Sequence, residues 1–510
     1  MAVQNNKRIA KNTLLLYVRM FVLMAVNLFT SRVVLQCLGV EDFGIYGIVG
    51  SVVTLFTFLN SAMSGCTSRF LSFYIGRDEP KSVNKVFSAS INLYLLVMLV
   101  IIFFAETIGL YVVNYVLNIP DGKMAAANIV YQFSILTFCA NLIRIPYNAS
   151  IVSYEKMDFY AYLSIADVVV KLGGVYVLYV FASNHLELYA LIMFLIAVVI
   201  TSAYFVYCRR NFHTTHYHRK GIEKSLYKQL LGFSGWSFFS GIANVASNAG
   251  VNMILNVFCG IAVNAAVSVA NQVSNAMYAF VSNFQTAFTP QITKLYATDE
   301  KESCYRLVCH SSKFSYYLFG ILILPLMISM PTLLSIWLGT VPDFASDFTN
   351  LILIYLLIDA LFCPLGIFVD ATGKIRTYKI VIGTLIILNF PIAYILQKCG
   401  LAPNSVWCAR IVINIVANIF RLVYMLRVFH FPSTIFIKNV LLPILIVTPI
   451  VTVPTVLVYP AFGNGFGPTA SFILLSFTFS SAVVYAIGLT NNERGFINKI
   501  VLSKIRINRR

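Results

Sequence analysis

Apolar runs of about 20 residues recur from one end of this chain to the other. Each is long enough to cross a hydrocarbon core of about 30 Å as a helix. The bilayer interior offers no water to backbone N–H and C=O groups, so a spanning segment must satisfy them internally, which a helix does. A β-barrel would show alternating segments of roughly ten residues, and none is found. The chain is 59% hydrophobic and 11% charged, less than half the charge of an ordinary soluble domain. The expected fold is therefore an all-α polytopic membrane protein. About fourteen spans are expected, from 14–37 and 44–66 through 437–459 and 469–490.

Loop charge sets the expected orientation. Of the 37 Lys and Arg, 30 fall on the side shared by the N-terminus, the even-to-odd loops and the C-terminus, five lie inside spans, and among the opposite loops only Lys123 and Lys398 are basic. The positive-inside rule then places both termini in the cytoplasm. The same asymmetry accounts for the net charge of +18 without nucleic acid. The basic loop 209–228 and the tail ending RINRR would face anionic lipids. The first apolar run carries arginines and no small-residue cleavage site follows, so it reads as a span and not a leader. The ten cysteines form no CxxC pair and read as small apolar residues. The HTTHYH stretch with His213, His216 and His218 reads as a solvated loop. No phosphate loop, HExxH or GxSxG motif is present, so neither a cofactor, a metal nor an enzyme activity is expected.

The chain repeats itself. An offset of 221 residues lays LGVEDFGIYG from Leu38 on CGIAVNAAVS from Cys259, with Gly39 over Gly260. The same offset lays Asp78–Glu79 over Asp299–Glu300. Each half holds six expected spans, and an even number inserts both halves in the same sense. The expected architecture is two six-helix bundles related by a pseudo-two-fold along the membrane normal. The domains would be residues 1–228, residues 229–430, two accessory helices in 431–490 and a basic tail in 491–510. Pro443, Pro449 and Pro454 predict a kinked or partly unwound thirteenth span.

Polar residues inside lipid-length helices carry the functional information. A charge at the bilayer centre costs roughly 2.5–3.5 kcal/mol on insertion scales, yet Arg19 and Arg32 lie in the first span. Thirteen helical steps set them roughly 140° apart, so a bend or snorkelling by Arg32 is needed if both line one path. Asn244 and Asn248 lie on one face of the seventh span, and Asn264, Asn271 and Asn275 on one face of the eighth. So many amides favour a watered cavity over helix–helix hydrogen bonding. Asp167 and Lys171 are four apart and can pair. Asp359 and Asp370 share a face, Glu106 and Arg410 are further charges within spans, and Arg144 and Arg421 are expected to snorkel to the cytoplasmic headgroups.

The Arg-bearing first span, LGVEDFGIYG at the second, RFLSFYIG before the first cytoplasmic loop and VDATGKIRTYK at the end of the tenth together resemble the Wzx-type polysaccharide flippases. That family belongs to the superfamily of lipid II flippases and multidrug/toxin exporters. The resemblance covers the whole length. It implies two bundles around a central cavity lined by the first, second, seventh and eighth spans. The implied substrate is an isoprenoid-diphosphate-linked oligosaccharide, moved from the cytoplasmic to the periplasmic leaflet of the inner membrane by alternating access. Arg19, Arg32 and Arg69 are the implied diphosphate contacts, with Glu106, Asp167, Lys171, Asp359 and Arg410 as coupling or ion-pairing groups. The second half has Ser240 and Pro290 where the first has Arg19 and Arg69, so the basic character is lopsided. Glycosyltransferases and a polymerase of the same pathway are the implied partners. The rival readings are an H⁺- or Na⁺-coupled multidrug exporter, which would want an acidic cavity, and a membrane polysaccharide polymerase or ligase, which would want a large periplasmic loop.

Overall fold

The computed structural model describes residues 2–54, 57–117, 119, 121–181, 185–218, 223–339, 341–463, 465–491, 493–495 and 498. Some side chains within its helices, including those of Arg32 and Asn264, lie outside the described residues. The chain is all-helical, with no strand among the described residues. Eleven described helices are long and apolar enough to cross a membrane.

The first half runs α1 (Ala2–Thr54), α2 (Thr57–Gly76), α3 (Pro80–Phe104), α4 (Met124–Ser153), α5 (Met157–Phe181) and α6 (His185–Asn211). The second runs α7 (Lys224–Ala297), α8 (Lys301–Ile328), α9 (Met330–Leu338), α10 (Ala345–Thr372), α11 (Arg376–Ile387), α12 (Asn389–Lys398) and α13 (Asn404–Phe429). A short α14 (Ser433–Phe436) precedes α15 (Leu442–Val458) and α16 (Phe466–Val483). The two halves match element by element. Helices starting at Pro80, Met124, Met157 and His185 answer to those starting at Lys301, Ala345, Arg376 and Asn404. The turns match too: Asp78 and Asp299, 221 residues apart, both hold the left-handed conformation, at φ 55° and 58°. A non-glycine residue rarely adopts it, and Asp tolerates it through local hydrogen bonding.

Several boundaries differ from the sequence reading. Spans seven and eight are one helical run, broken at Gly260, whose φ of 82° and ψ of −177° no helix allows. Position 260 is where the repeat places the turn between the two spans. The α1 assignment, by contrast, runs through 38–43, where the sequence predicts a turn; no proline lies there to stop it. The thirteenth span keeps its helix through Pro449 and Pro454, and its irregularity is a π-turn at Ile437–Leu441. Thr448 and Thr455 donate back to the carbonyls of Ile444 and Val451, keeping side-chain hydroxyls satisfied in apolar surroundings. At the end of α3 the helix widens into π-turns, and the buried Tyr131 hydroxyl donates to Ala105 O at 2.8 Å.

Packing divides the chain into two compact units. One comprises Ala10–Gly241 with Thr289–Asp299, the other Met1–Ile9, Ile242–Phe288 and Glu300–Arg510. The boundaries between the units fall at 9/10 in α1, at 241/242 and 288/289 in α7, and at 299/300 after it.

In the first unit, loops at each end of the bundle are tied to one another. Lys123 pairs with Asp42 at 2.8 Å, and Asn84 donates to the carbonyls of Thr214 and His216. The C-terminal end of α7 is held there by Glu155, a 5% exposed carboxylate that accepts from Gln291 and Lys294. Gly76 makes this fit: a Cβ there would sit 2.8 Å from Lys294 Cα and 3.2 Å from Ala297 Cβ. In the second unit, α8 packs on α10 around Phe319, Ile323, Phe348 and Leu353. The segment after α16 is docked by Glu493, which accepts from His310 at 2.9 Å and Lys313 at 2.8 Å. Burial raises the Glu493 carboxyl, but these bonds and one from the Thr490 N–H outweigh it and hold it down to about 2.

Two tests follow from this packing. Gly76→Ala should lower unfolding stability by about 1–3 kcal/mol because backbone, not a flexible side chain, blocks the new methyl. Gly65→Ala, which meets nothing within 4 Å, should be neutral or slightly stabilising. Because the Glu493 carboxyl is depressed in the folded state, its contribution is full at pH 7 and declines only as pH falls from its ordinary value of 4.5 towards about 2. Amide exchange at residues 484–491 should therefore stay slow down to about pH 5 and accelerate at pH 7 in Glu493→Ala.

Candidate functional site

Inside the first unit, four helices each turn one face towards a common cavity of about 170 Å³. From α1 come Arg19, Leu23 and Asn27, at steps of four. Arg144 and Asn148 of α4 are again four apart. Helix α5 adds Tyr160, Leu163, Ser164, Asp167 and Val168, and α6 adds Ile200 and Tyr204. Spacing of three and four is what aligns side chains on one helix face, so each contribution is legible as a stripe.

The charges in the cavity are arranged around Asp167. Its carboxylate lies 3.0 Å from Lys171 Nζ and 3.7 Å from the Arg144 guanidinium. The three side chains are 16%, 38% and 28% exposed. Arg144 also approaches the ring of Tyr204 at 5.7 Å. Across the cavity, the Arg19 guanidinium lies 4.4 Å over the ring of Tyr160, a cation–π contact that steadies the charge where little water competes. Ser164 donates to the Tyr160 carbonyl at 2.7 Å and so stays satisfied on its own helix. The buried Asn148 Oδ1 has no hydrogen-bond donor among the described residues. Two guanidinium groups and the Asp167 carboxylate line the cavity, with Lys171 on the carboxylate, and the lining adds two amides and two aromatic hydroxyls.

The structure distributes the sequence-derived candidates unevenly. Arg19, Asp167 and Lys171 come together here. Arg144 joins them, paired with Asp167 instead of reaching the headgroups. Its membership was readable from Asn141, Arg144 and Asn148 at steps of three and four. Arg69 is elsewhere, within 4.5, 5.0 and 5.8 Å of the rings of Phe70, Phe73 and Phe233. The side chain of Arg32 lies outside the described residues. Glu106 is exposed and accepts from Gln132 at 3.2 Å.

In the second unit, Asn244, Asn248 and Asn275 are exposed and Asn271 is half-buried, while the Asn264 side chain lies outside the described residues. Asp359 pairs with Arg421 at 3.2 Å, so Arg421 too is held inside the bundle and does not snorkel. Asp370 pairs separately with Lys379 at 2.9 Å. Arg410 lies 4.8 Å over Tyr355 and 5.5 Å over Trp407. Among the described residues no group of three His, Cys, Asp or Glu could hold a metal ion.

A duplicated, all-helical membrane chain with an ionised cavity inside one bundle has the build of a multi-pass membrane transporter. The profile of the MatE family matches residues 16–177 and again 236–395, the same unit found once in each half and covering more than half of the chain. The chain belongs to the MatE family. It is therefore a transporter and not an enzyme. Among curated proteins it is similar to the uncharacterized membrane protein EpsK of Bacillus subtilis, 21% identical over 81% of this chain and 82% of that one. Among solved structures it is similar to MATE in the bent conformation, with a TM-score of 0.71 at 15% identity over 84% of this chain and 97% of that one. An outward-facing multidrug resistance MATE family transporter of the MOP superfamily gives 0.68 at 14% identity, over 81% and 94%. A MOP superfamily transporter from Pyrococcus furiosus, whose reverse polarity of binding pocket suggests a different function, gives 0.66 at 14% identity over 81% and 94%.

One expected outcome concerns the half-buried pair of the second unit. Arg421→Met leaves Asp359 in the bundle without its cation and should destabilise it, by less than the roughly 3–5 kcal/mol of a fully buried pair. Adding Asp359→Asn should recover most of that loss, read as the unfolding midpoint in detergent.

Proposed function

We propose that this transporter is a flippase for an isoprenoid-diphosphate-linked oligosaccharide, carried from the cytoplasmic to the periplasmic leaflet of the inner membrane by alternating access. The observation that carries the reading is the cationic balance of the first-unit cavity, which Arg19 and Arg144 line together with Asp167, itself also paired with Lys171. Guanidinium groups suit phosphate oxygens because they donate paired hydrogen bonds in a fixed fork. The amides of Asn27 and Asn148 suit hydroxyl-rich ligands. With both termini cytoplasmic, an inside-negative potential favours outward movement of an anion by about 2.3 kcal/mol per charge per 100 mV. The basic tail would rest on anionic lipid, and glycosyltransferases and a polymerase are the proposed partners.

A second reading, export of organic cations coupled to H⁺ or Na⁺, draws support from family membership and from the multidrug name of one structural neighbour. The two readings require opposite cavity charge. That another transporter of this fold is described by a reversed pocket polarity supports treating charge as the discriminating property.

Reconstituted protein should speed leaflet exchange of a fluorescent polyprenyl-diphosphate oligosaccharide. Arg19→Ala and Arg144→Ala should each slow it at least about tenfold, the loss of one charge-assisted contact, and Arg144→Lys should keep part of the activity. Uptake of an organic cation that is unchanged or faster in the alanine variants, with no exchange of the lipid, would instead establish the exporter.

A further inference from the structure

Asp167 does two things in the cavity. It neutralises, in part, the cations that would hold an anionic ligand, and it occupies the position such a ligand would take. At 3.7 Å its contact with Arg144 is too long for a hydrogen bond, so that guanidinium is attracted to the carboxylate without being committed to it. One helical turn on, the buried Asn148 Oδ1 is an acceptor lacking a donor among the described residues. The cavity, of about 170 Å³, has room for a phosphate group.

We infer that Asp167 is a displaceable internal counter-ion: a phosphate-bearing anion binds by taking Arg144 and Lys171 away from it. Arg19, Arg144 and Lys171 then hold the phosphate oxygens, and Asn148 Oδ1 accepts from a hydroxyl of the ligand. The carboxylate returns to its two cations as the ligand leaves. Without that carboxylate the cations would bind tightly and release slowly; Asp167 shortens the bound time. This inference rests on the anionic-substrate reading of the same cavity.

The test is pyrophosphate titration calorimetry on the full chain in nanodiscs, with wild type, Asp167→Asn, Asp167→Ser and Arg144→Ala. Both Asp167 variants should bind roughly tenfold tighter than wild type, since a like charge near the ligand is gone, and Arg144→Ala should bind at least tenfold weaker. In lipid exchange the Asp167 variants should show a lower KM together with a lower maximal rate, a split that a merely structural role would not produce. Wild-type binding with unchanged or weaker binding in both variants would overturn the counter-ion role and leave the anionic reading standing. Absence of pyrophosphate binding in every variant, with tetraphenylphosphonium bound by wild type, would overturn both. Competition by farnesyl diphosphate would support a lipid as the source of the phosphate; pyrophosphate binding that farnesyl diphosphate leaves untouched would overturn the lipid source in favour of a soluble anion.

Discussion

The interaction on which the rest of the site depends is the sharing of one carboxylate, Asp167, by two cations inside an apolar bundle. Ionised groups cannot be left alone in low dielectric. Each described pair in the helices answers that constraint: Asp167 with Lys171 and Arg144, Asp359 with Arg421, Asp370 with Lys379. What distinguishes the first is its stoichiometry. The second and third are one cation to one anion and can close on themselves. The first leaves positive charge over, and a cavity beside it. The Tyr160 ring beneath Arg19 serves the same end, since it stabilises a guanidinium without neutralising it.

The duplication makes the contrast informative. Helices, turns and even the left-handed Asp78 and Asp299 recur with nearly constant offset, so the backbone of the two halves solves one folding problem twice. The cavity chemistry is not repeated. Helix α1 brings Arg19 where the repeat has Ser240, and α10 puts its buried acid, Asp359, against Arg421 of α13. Repetition therefore belongs to the scaffold, and the described ion pairs differ between the two copies. A family profile that matches both halves alike cannot see this difference, which is why membership alone fixes a transporter and leaves the charge of its cargo to the side chains.

Much of this was legible in the sequence because it is local or periodic. The apolar runs, the offset of 221 residues, the Asp167–Lys171 pair at four residues and the break at Gly260 all follow from spacing. What was not legible are contacts that spacing cannot reach. Arg144 meets Asp167 across two helices, Glu155 meets Lys294 at a separation of 139 residues, and Glu493 meets Lys313 at 180. Snorkelling was the reasonable expectation for Arg144 and Arg421, because each lies near a helix end in sequence. An acid on the neighbouring helix overrides it. Arg69 shows the converse: its position in the first half is suggestive, yet three aromatic rings claim it.

The most direct measurement is an electron cryo-microscopy map of the protein in nanodiscs with a short-chain polyprenyl-diphosphate saccharide. The account predicts phosphate density between Arg19 and Arg144, with the Asp167 carboxylate turned away from both Arg144 and Lys171. Diphosphate density elsewhere, with Asp167 still between its two cations, would contradict it.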